Sequence, residues 1–224
     1  MCGRFSQTTD VRTIAQRFGV PRPTAESAAW TPHYNIAPTK TVVVVSDDGA
    51  RYLTEMRWGL IPSWAKDPAI GNRMINARAE TVATKPAFRV ALRKRRCVVV
   101  ADGFYEWQKQ GRGKQPFRIV LKSREPFGFA GLWDTWTAPE GEAIRTCTII
   151  TTETNEVLKP IHDRMPVILT REAEAAWLDL TMQDPALLLS LLKPYPAQEV
   201  EAYPVSPWVN NPLHDTPECV IPLH

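Results

Sequence analysis

Apolar and polar residues follow two different spacings along this chain, which predict helices and strands in separate stretches. A period of three to four residues between Val11 and Phe18 predicts a first helix, with Thr9 as its cap. The apolar run Thr41–Ser46 predicts a buried strand, and Arg51–Trp58 predicts a second one. Asp47-Asp48-Gly49 separates the two runs and is a strong hairpin signal, so we expect the strands to pair antiparallel.

The pattern from residue 86 onward is dominated by strands. Helices are predicted from about Pro86 to Arg95, at Thr170–Leu180 and at Asp184–Leu192. The candidate strands are Cys97–Ala101, Phe104–Gln108, Phe117–Leu121, Phe127–Leu132, Arg145–Thr151, Pro166–Leu169 and Glu199–Val205. Because strands predominate and hairpin links are common, we expect an α+β fold whose mostly antiparallel, barrel-like β core is flanked by helices. Residues 1–224 are expected to form a single domain.

Composition excludes few classes of protein. The chain is 44% hydrophobic and 23% charged, which is ordinary for a globular domain. A net charge of +3 permits an anionic partner without requiring one. No leader opens the sequence and no apolar run approaches ~18 residues, so a cytoplasmic protein with no membrane partner is expected. The four cysteines and four histidines show no ligand spacing, so we expect no metal and no cofactor, and Cys97 and Cys147 are predicted to be reduced core residues.

The start of the chain is its most informative feature. Met1 precedes a small residue, which favours removal of the methionine and leaves Cys2 with a free α-amine beside its thiol. The two groups have ordinary pKa values of about 7.7–8.0 and 8.5, so both nucleophiles are partly available near neutral pH. A 1,2-aminothiol condenses with an aldehyde to a Schiff base and then closes a thiazolidine ring. The alternative is a chance Met-Cys pair on a frayed terminus, although Phe5 could bury and hold it.

Two further segments carry more polar chemistry than a core requires. Asn76 and Arg78 lie two positions apart and supply an amide and a phosphate-binding fork, although a loop amide and a solvated arginine fit equally well. Glu106 lies among aromatic residues on a predicted strand, where burial would raise its pKa and suit it to general acid–base work. A position on the solvent side of an edge strand is the alternative for Glu106.

Histidine and aromatic residues complete the candidate site. His162 lies at an element boundary, where Asp163 or Glu106 could set its tautomer and Thr151 offers a hydroxyl neighbour. A purely structural histidine is the alternative. Stacking surfaces for single-stranded nucleic acid are provided by tryptophans that include Trp64, and phosphate contacts are predicted at Arg4 and Arg78. The basic run at residues 93–96 is interpreted as a solvated helix end.

Six motifs of this chain resemble, in order, those of the SOS-response-associated peptidase (SRAP) family, the abasic-site processing proteins. They are Met1-Cys2-Gly3-Arg4-Phe5, Tyr34-Asn35-Ile36-Ala37-Pro38-Thr39, Trp58-Gly59-Leu60-Ile61-Pro62, Asn76-Ala77-Arg78-Ala79-Glu80-Thr81, Ala101-Asp102-Gly103-Phe104-Tyr105-Glu106-Trp107 and Ile161-His162-Asp163-Arg164-Met165-Pro166. The resemblance spans almost the whole chain. It implies the SRAP-type fold, with a barrel-like β core and a positively charged groove for single-stranded DNA.

The resemblance also implies the roles of individual residues. Cys2 would form a thiazolidine crosslink with the ring-opened aldehyde of an abasic site, and the other catalytic positions would be Asn76, Glu106 and His162. The DNA contacts would be Arg4, Arg78, Trp64, Thr151 and Asn35. A proline at position 86 stands where some relatives carry a basic DNA contact, so that contact is left unassigned.

The expected function is therefore an abasic-site sensor that crosslinks to single-stranded DNA as part of the DNA damage response. The expected activity is crosslinking or lyase chemistry, with autoproteolytic loss of Met1 as an accompanying possibility. A monomer is expected, associated with the nucleoid when it acts on DNA, and replication-fork proteins are left open as partners. The main alternative is a thiol peptidase that uses Cys2 as nucleophile. A single-strand binding module without covalent chemistry is a third hypothesis.

Overall fold

The computed structural model describes residues 2–21 and 30–223 as a mixed fold of strands and short helices. Its strands are β1 (Phe5–Gln7), β2 (His33–Ile36), β3 (Thr41–Asp47), β4 (Arg51–Trp58), β5 (Asn76–Arg78), β6 (Arg96–Ala101), β7 (Gly103–Gln110), β8 (Gly113–Leu121), β9 (Phe127–Thr137), β10 (Ala143–Glu153), β11 (Arg164–Pro166), β12 (Ile168–Leu169) and β13 (Val200–Pro204). Its helices are α1 (Val11–Phe18), α2 (Arg89–Lys94), α3 (Arg171–Leu178) and α4 (Pro185–Ser190). The predicted α+β class is confirmed.

Five strands close into a barrel, as the sequence predicted. Their order is β10-β4-β3-β6-β9, and β9 pairs again with β10 to complete the circuit. All these pairings are antiparallel except that between β10 and β4. The strands β11 and β5 extend from β10, and β12 extends from β9. In the described part of the chain no helix is both long enough and apolar enough to span a bilayer.

A second sheet carries the start of the chain. Its order is β13-β8-β7-β1-β2, so β1 lies between two neighbours rather than at an edge. Phe5 of β1 is paired with Phe104 of β7 on one side and with Ile36 of β2 on the other. The sequence did not predict β1 or β2, because strands this short are specified by distant partners rather than by a local pattern.

Two apolar clusters hold the layers together. One joins the helices to the barrel and includes Phe18 and Trp177. The other joins the second sheet to the barrel and is rich in aromatic rings. In it the ring of Phe5 meets Trp58 at 5.0 Å and Phe129 at 5.8 Å between centroids, both edge to face. This geometry is the favoured one for aromatic pairs, and it anchors the N-terminal strand.

Two helix predictions were wrong in detail. The cap of α1 is Asp10, whose carboxylate accepts the backbone N–H groups of Arg12 and Thr13, whereas Thr9 bonds to Asp102 instead. The basic helix is shorter than expected, since residues 86–88 form a turn and α2 begins only at Arg89. The prediction that Cys97 and Cys147 are reduced core residues is confirmed, because both are free thiols with no exposed surface.

Candidate functional site

The chain start is fixed in place by the residues that follow it. Cys2 is fully buried, and its carbonyl oxygen accepts a 2.7 Å hydrogen bond from Nδ2 of Asn76. Further along, the carboxylate of Asp102 accepts hydrogen bonds from the hydroxyls of Ser6 and Thr8. It also accepts from the backbone N–H and the hydroxyl of Thr9. Together with the buried ring of Phe5, these bonds make the terminus a positioned one rather than a frayed one.

Asn76 reaches Cys2 because a short strand attaches to the barrel. The strand β5 runs parallel to β10, with Asn76 opposite Ile149 and Arg78 opposite Thr151. The amide of Asn76 donates to Cys2, but its Oδ1 atom is buried and has no hydrogen-bond partner among the described residues. A buried acceptor of this kind is costly unless something completes it, so it marks a place where a ligand group would bind.

Glu106 lies on β7, and its side chain is only 3% exposed. Burial raises the pKa of Glu106 from its ordinary value of 4.5 to about 7, because the ionised carboxylate loses its hydration. A carboxyl group with this pKa exchanges protons readily at neutral pH. The sequence prediction that Glu106 is buried with a raised pKa is therefore supported by the structure.

His162 faces Glu106 across the site. Its Nε2 atom lies 3.8 Å from Oε2 of Glu106. Its Nδ1 atom accepts the backbone N–H of Arg164 at 3.1 Å and lies 2.9 Å from Oδ1 of Asp163. Nδ1 cannot both accept from the N–H of Arg164 and donate to Asp163, so these two contacts favour opposite tautomers of the neutral ring. Burial lowers the pKa of His162, which favours the neutral form.

The thiol of Cys2 is strongly affected by the same surroundings. Burial raises its pKa well above the ordinary value, and the negative charge of Glu106 adds to that effect. The thiolate is therefore scarce near neutral pH, so Cys2 is a weak sulfur nucleophile in these surroundings.

Arg4 and Asn35 form a network with the C-terminal part of the chain. Nη1 of Arg4 donates to Oδ1 of Asn35 at 2.8 Å and to the carbonyl of Val209 at 2.9 Å. Asn35 is 2% exposed, and its Nδ2 atom donates to the carbonyls of Val209, Asn211 and His214. In this conformation the two residues support the N-terminal strand, and their DNA contacts stay a prediction.

The other predicted DNA contacts differ in accessibility. Arg78 is exposed, and Trp64 is 60% exposed. The backbone on either side of Trp64 is anchored, because the Ser63 N–H donates to Asp134 and the indole of Trp136 donates to the carbonyl of Ala65. Thr151, by contrast, is fully buried.

Sequence reasoning missed two residues that shape the site. Arg164 makes a two-pronged ion pair with Glu80, 3.0 Å at each contact, and also donates to the carbonyl of Thr151. Asp102 is the acceptor that holds residues 6–9, as described above. Both lie inside the quoted motifs, so their location was the only available signal. The described residues contain no group of three or more His, Cys, Asp and Glu side chains suited to a metal ion.

The chain matches the family model described as SOS response associated peptidase (SRAP) over residues 1–212, and it belongs to that family. One relative is the "Abasic site processing protein YoqW" of Bacillus subtilis (strain 168), which is 48% identical over 222 residues covering 98% of this chain and 99% of the relative. Another is the "Abasic site processing protein HMCES" of Gallus gallus, 36% identical over 227 residues covering 87% of this chain and 67% of the relative.

The fold is also similar to one seen by crystallography. A crystal structure of a protein from Bacteroides thetaiotaomicron matches with a TM-score of 0.91 at 30% identity, covering 100% of both chains. The family and fold predicted from the six sequence motifs are therefore confirmed.

Proposed function

We infer that this protein processes abasic sites in single-stranded DNA by forming a covalent crosslink through Cys2 once Met1 is removed. The observation that carries the proposal is the fixed position of Cys2, whose carbonyl is bonded to Asn76 beside the Glu106–His162 pair. The names of the relatives point to the same substrate, since YoqW and HMCES are both abasic site processing proteins.

The reaction follows from the aminothiol. The α-amine of Cys2 adds to the open-chain aldehyde of the abasic sugar and water leaves, which gives an imine. The sulfur then adds to the imine carbon, and the thiol proton passes to the nitrogen. The product is a five-membered thiazolidine, and the overall change is the loss of one water.

Glu106 and His162 supply the proton transfers that these steps need. With a pKa of about 7, Glu106 can accept a proton from the attacking amine and return it to the departing hydroxyl. His162, whose lowered pKa favours the neutral ring, assists opening of the sugar ring. The unpartnered Oδ1 of Asn76 is an acceptor for a hydroxyl or for the amine.

In the chain that still carries Met1, burial raises the pKa of the Cys2 thiol, and we expect the thiol to stay the weaker nucleophile after Met1 is removed. A thiol that stays protonated is a weak nucleophile, so the amine attacks the aldehyde first. The S–H group then adds to the more electrophilic imine and brings the required proton with it.

The damaged strand would be held without reading its bases. Trp64 presents an exposed ring on an anchored stretch of backbone for base stacking, which tolerates any base. Arg78 presents an exposed guanidinium next to Asn76 for a phosphate, and phosphate contacts carry no sequence information.

The test combines the protein lacking Met1 with a single-stranded oligonucleotide that contains one abasic site. Intact mass spectrometry should give the sum of the two masses minus one water, and the adduct should survive a denaturing gel. Cys2→Ala keeps the amine but not the sulfur, so it should give an adduct only when borohydride reduces the imine. Cys219→Ala is the matched control and should crosslink normally. A stable adduct with Cys2→Ala, formed without reductant, would overturn the proposal.

The role of Glu106 has its own test. General acid–base catalysis contributes about 10²–10⁴-fold, so Glu106→Gln should slow adduct formation by about a hundred-fold or more. The exposed Glu140→Gln, which lies outside the site, serves as the matched control. Crosslinking by Glu106→Gln at the normal rate would remove Glu106 from the mechanism.

A thiol peptidase is the second candidate function, favoured by the description of the family model. A peptidase acting in trans needs an accessible thiolate, whereas the Cys2 thiol is buried and its pKa is raised. The peptide bond of its own Met1 is the substrate that burial excludes least. Parent protein and Cys2→Ala can be made in a translation system that lacks aminopeptidase. Loss of Met1 from the parent but not from Cys2→Ala would support autoproteolysis.

A further inference from the structure

The hairpin between β7 and β8 carries a concentration of positive charge at its tip. Lys109 and Lys114 are direct partners across the two strands, and Arg112 occupies the two-residue turn. All three side chains are exposed. Gly111 precedes Arg112 with a φ of 55°, the conformation that a first central residue adopts in a type II′ turn. The turn is therefore tight, and it presents the three cations in a defined arrangement.

This arrangement is electrostatically unfavourable in the protein alone. Like charges directly opposite one another across an antiparallel pair destabilise the sheet. In the described part of the chain none of the three cations has a carboxylate partner. Other exposed arginines do have one, as in the pairs Arg124–Glu201 and Arg171–Glu125. The repulsion at the hairpin tip would be relieved by an anion from outside.

The hairpin tip lies close to the proposed catalytic pair. Lys109 follows Glu106 by three positions, about 10 Å along an extended strand, so its side chain projects from the opposite face of β7. Gln108, next to Lys109, donates from Nε2 to the carbonyl of Pro160 at 3.0 Å, two residues before His162. The lowered pKa of His162 has burial as its main cause, but the charge of Lys114 also contributes to it. An anion at the tip would therefore lie at the edge of the site, on the opposite face of β7 from Glu106 but close enough to His162 for their charges to interact.

We propose that the hairpin tip, defined as Lys109, Arg112 and Lys114, binds phosphates of the DNA strand that enters the site. This inference rests on the proposed function, because it takes the ligand to be the flanking backbone of the abasic strand. A string of phosphates fits three fixed cations better than one small anion would, since each cation then meets its own charge. Contacts between the hairpin tip and phosphates would increase the affinity for DNA but would not distinguish one base from another.

The experiment measures binding separately from chemistry. Its probe is a fluorescent single-stranded 15-mer with a central tetrahydrofuran, an abasic analogue that has no aldehyde, and anisotropy is recorded between 50 and 200 mM salt. The test variant is Lys109→Gln/Arg112→Gln/Lys114→Gln. The control variant removes the same charge from exposed positions elsewhere, as Arg12→Gln/Lys122→Gln/Lys193→Gln. Lys122 lies beyond the opposite end of β8, about 27 Å from Lys114 at strand spacing.

Counterion release gives the expected size of the effect. Each single-strand phosphate neutralised contributes about 0.7 to the slope of log affinity against log salt, so three contacts contribute about 2. Between 50 and 200 mM salt the parent should lose roughly 18-fold more affinity than the hairpin variant. The control variant should follow the parent, and a trimer centred on the same analogue should bind parent and hairpin variant alike because it is too short to reach the tip.

An unchanged slope for the hairpin variant overturns the inference. So does a result in which that variant loses binding to fluorescent polyglutamate but keeps its binding to the oligonucleotide, since that pattern indicates an acidic peptide as the partner. The proposed function is judged separately by the adduct with a true abasic site. If the parent forms no adduct but the slope falls as stated, the crosslinking proposal fails and the phosphate surface stands.

Discussion

Replacing Glu106 with glutamine should change how the stability of the protein depends on pH. The carboxyl group is 3% exposed, and burial raises its pKa from 4.5 to about 7. The folded protein therefore holds a proton at Glu106 in the range where the unfolded chain has already released it. Glutamine has nearly the same shape but does not titrate, so the difference between parent and Glu106→Gln isolates this one group.

The sign follows from proton counting. Between pH 4.5 and about 7 the folded state binds more protons at Glu106 than the unfolded state does. The free energy of unfolding of the parent must therefore fall as pH rises through this window, and it levels off above pH 7. Each pKa unit is worth about 1.4 kcal/mol, so the full effect is about 3 kcal/mol.

The assay is urea unfolding of both proteins at pH 5, 6, 7 and 8. Relative to the parent, Glu106→Gln should gain about 3 kcal/mol of stability on going from pH 5 to pH 8. His162 titrates with the opposite sign, because burial lowers its pKa, but it is present in both proteins and largely cancels. Glu80→Gln is the control: Arg164 lowers the pKa of Glu80, so its contribution to stability is lost only as pH falls below this range.

The reasoning is refuted if the free energies of unfolding of the parent and Glu106→Gln differ by the same amount at every pH. Burying the extra N–H₂ group of glutamine without a partner costs about 1–3 kcal/mol at every pH, and this cost alone produces an offset without a slope. The slope therefore carries the test. If it is absent, Glu106 titrates near its ordinary value, and the assignment of proton transfer at neutral pH to this residue fails with it.

Three substitutions test the fixed position of the chain start and the packing of the barrel. Phe5→Ala removes a fully buried ring and should cost about 3–5 kcal/mol in urea unfolding, and a loss below about 1 kcal/mol would mean that Phe5 is no anchor. Asp102→Asn should cost about 1–3 kcal/mol and lower hydrogen-exchange protection in β1. Unchanged protection would contradict the role of Asp102 in holding residues 6–9. Gly128→Ala places a Cβ atom in steric overlap with Cγ1 of Val98, so it should cost about 1–3 kcal/mol, and unchanged stability would show that the barrel backbone adjusts there.

The elements predicted well from the sequence are those specified by neighbouring residues. The hairpin of β3 and β4 combines a continuous apolar run with Asp-Asp-Gly, and the observed β4 has the predicted bounds Arg51–Trp58. The strands β1, β2 and β5 were missed because they have three or four residues each and depend on distant partners. Phe5, for example, pairs with Phe104, and no local pattern reports that pairing.

The features of the candidate site also divide into those that neighbouring residues specify and those that depend on distant partners. Strand alternation among aromatic residues suggested a buried Glu106 but left a solvent-facing position as the alternative, and the structure decides for burial. The sequence pattern could not show that Arg4 and Asn35 bond to carbonyls at residues 209–214, since those partners lie about 175–205 positions away in sequence. An arginine near a reactive terminus indicates a phosphate contact by residue type alone, and only the fold shows which groups already hold it.

Burial changes the pKa values of two reactive groups in the site, and the proposed mechanism depends on both changes. It raises the pKa of both Cys2 and Glu106, but the consequences differ because the two groups begin from different ordinary values. The pKa of the thiol moves away from neutral pH, so in the proposed reaction the thiol would stay protonated until the imine has formed. The carboxyl group moves to neutral pH, where it can both accept and release a proton while that imine forms. A solvated site with the same residues would have a more readily ionised thiol and a carboxylate too weak as a base, and the order of the two steps would no longer be enforced.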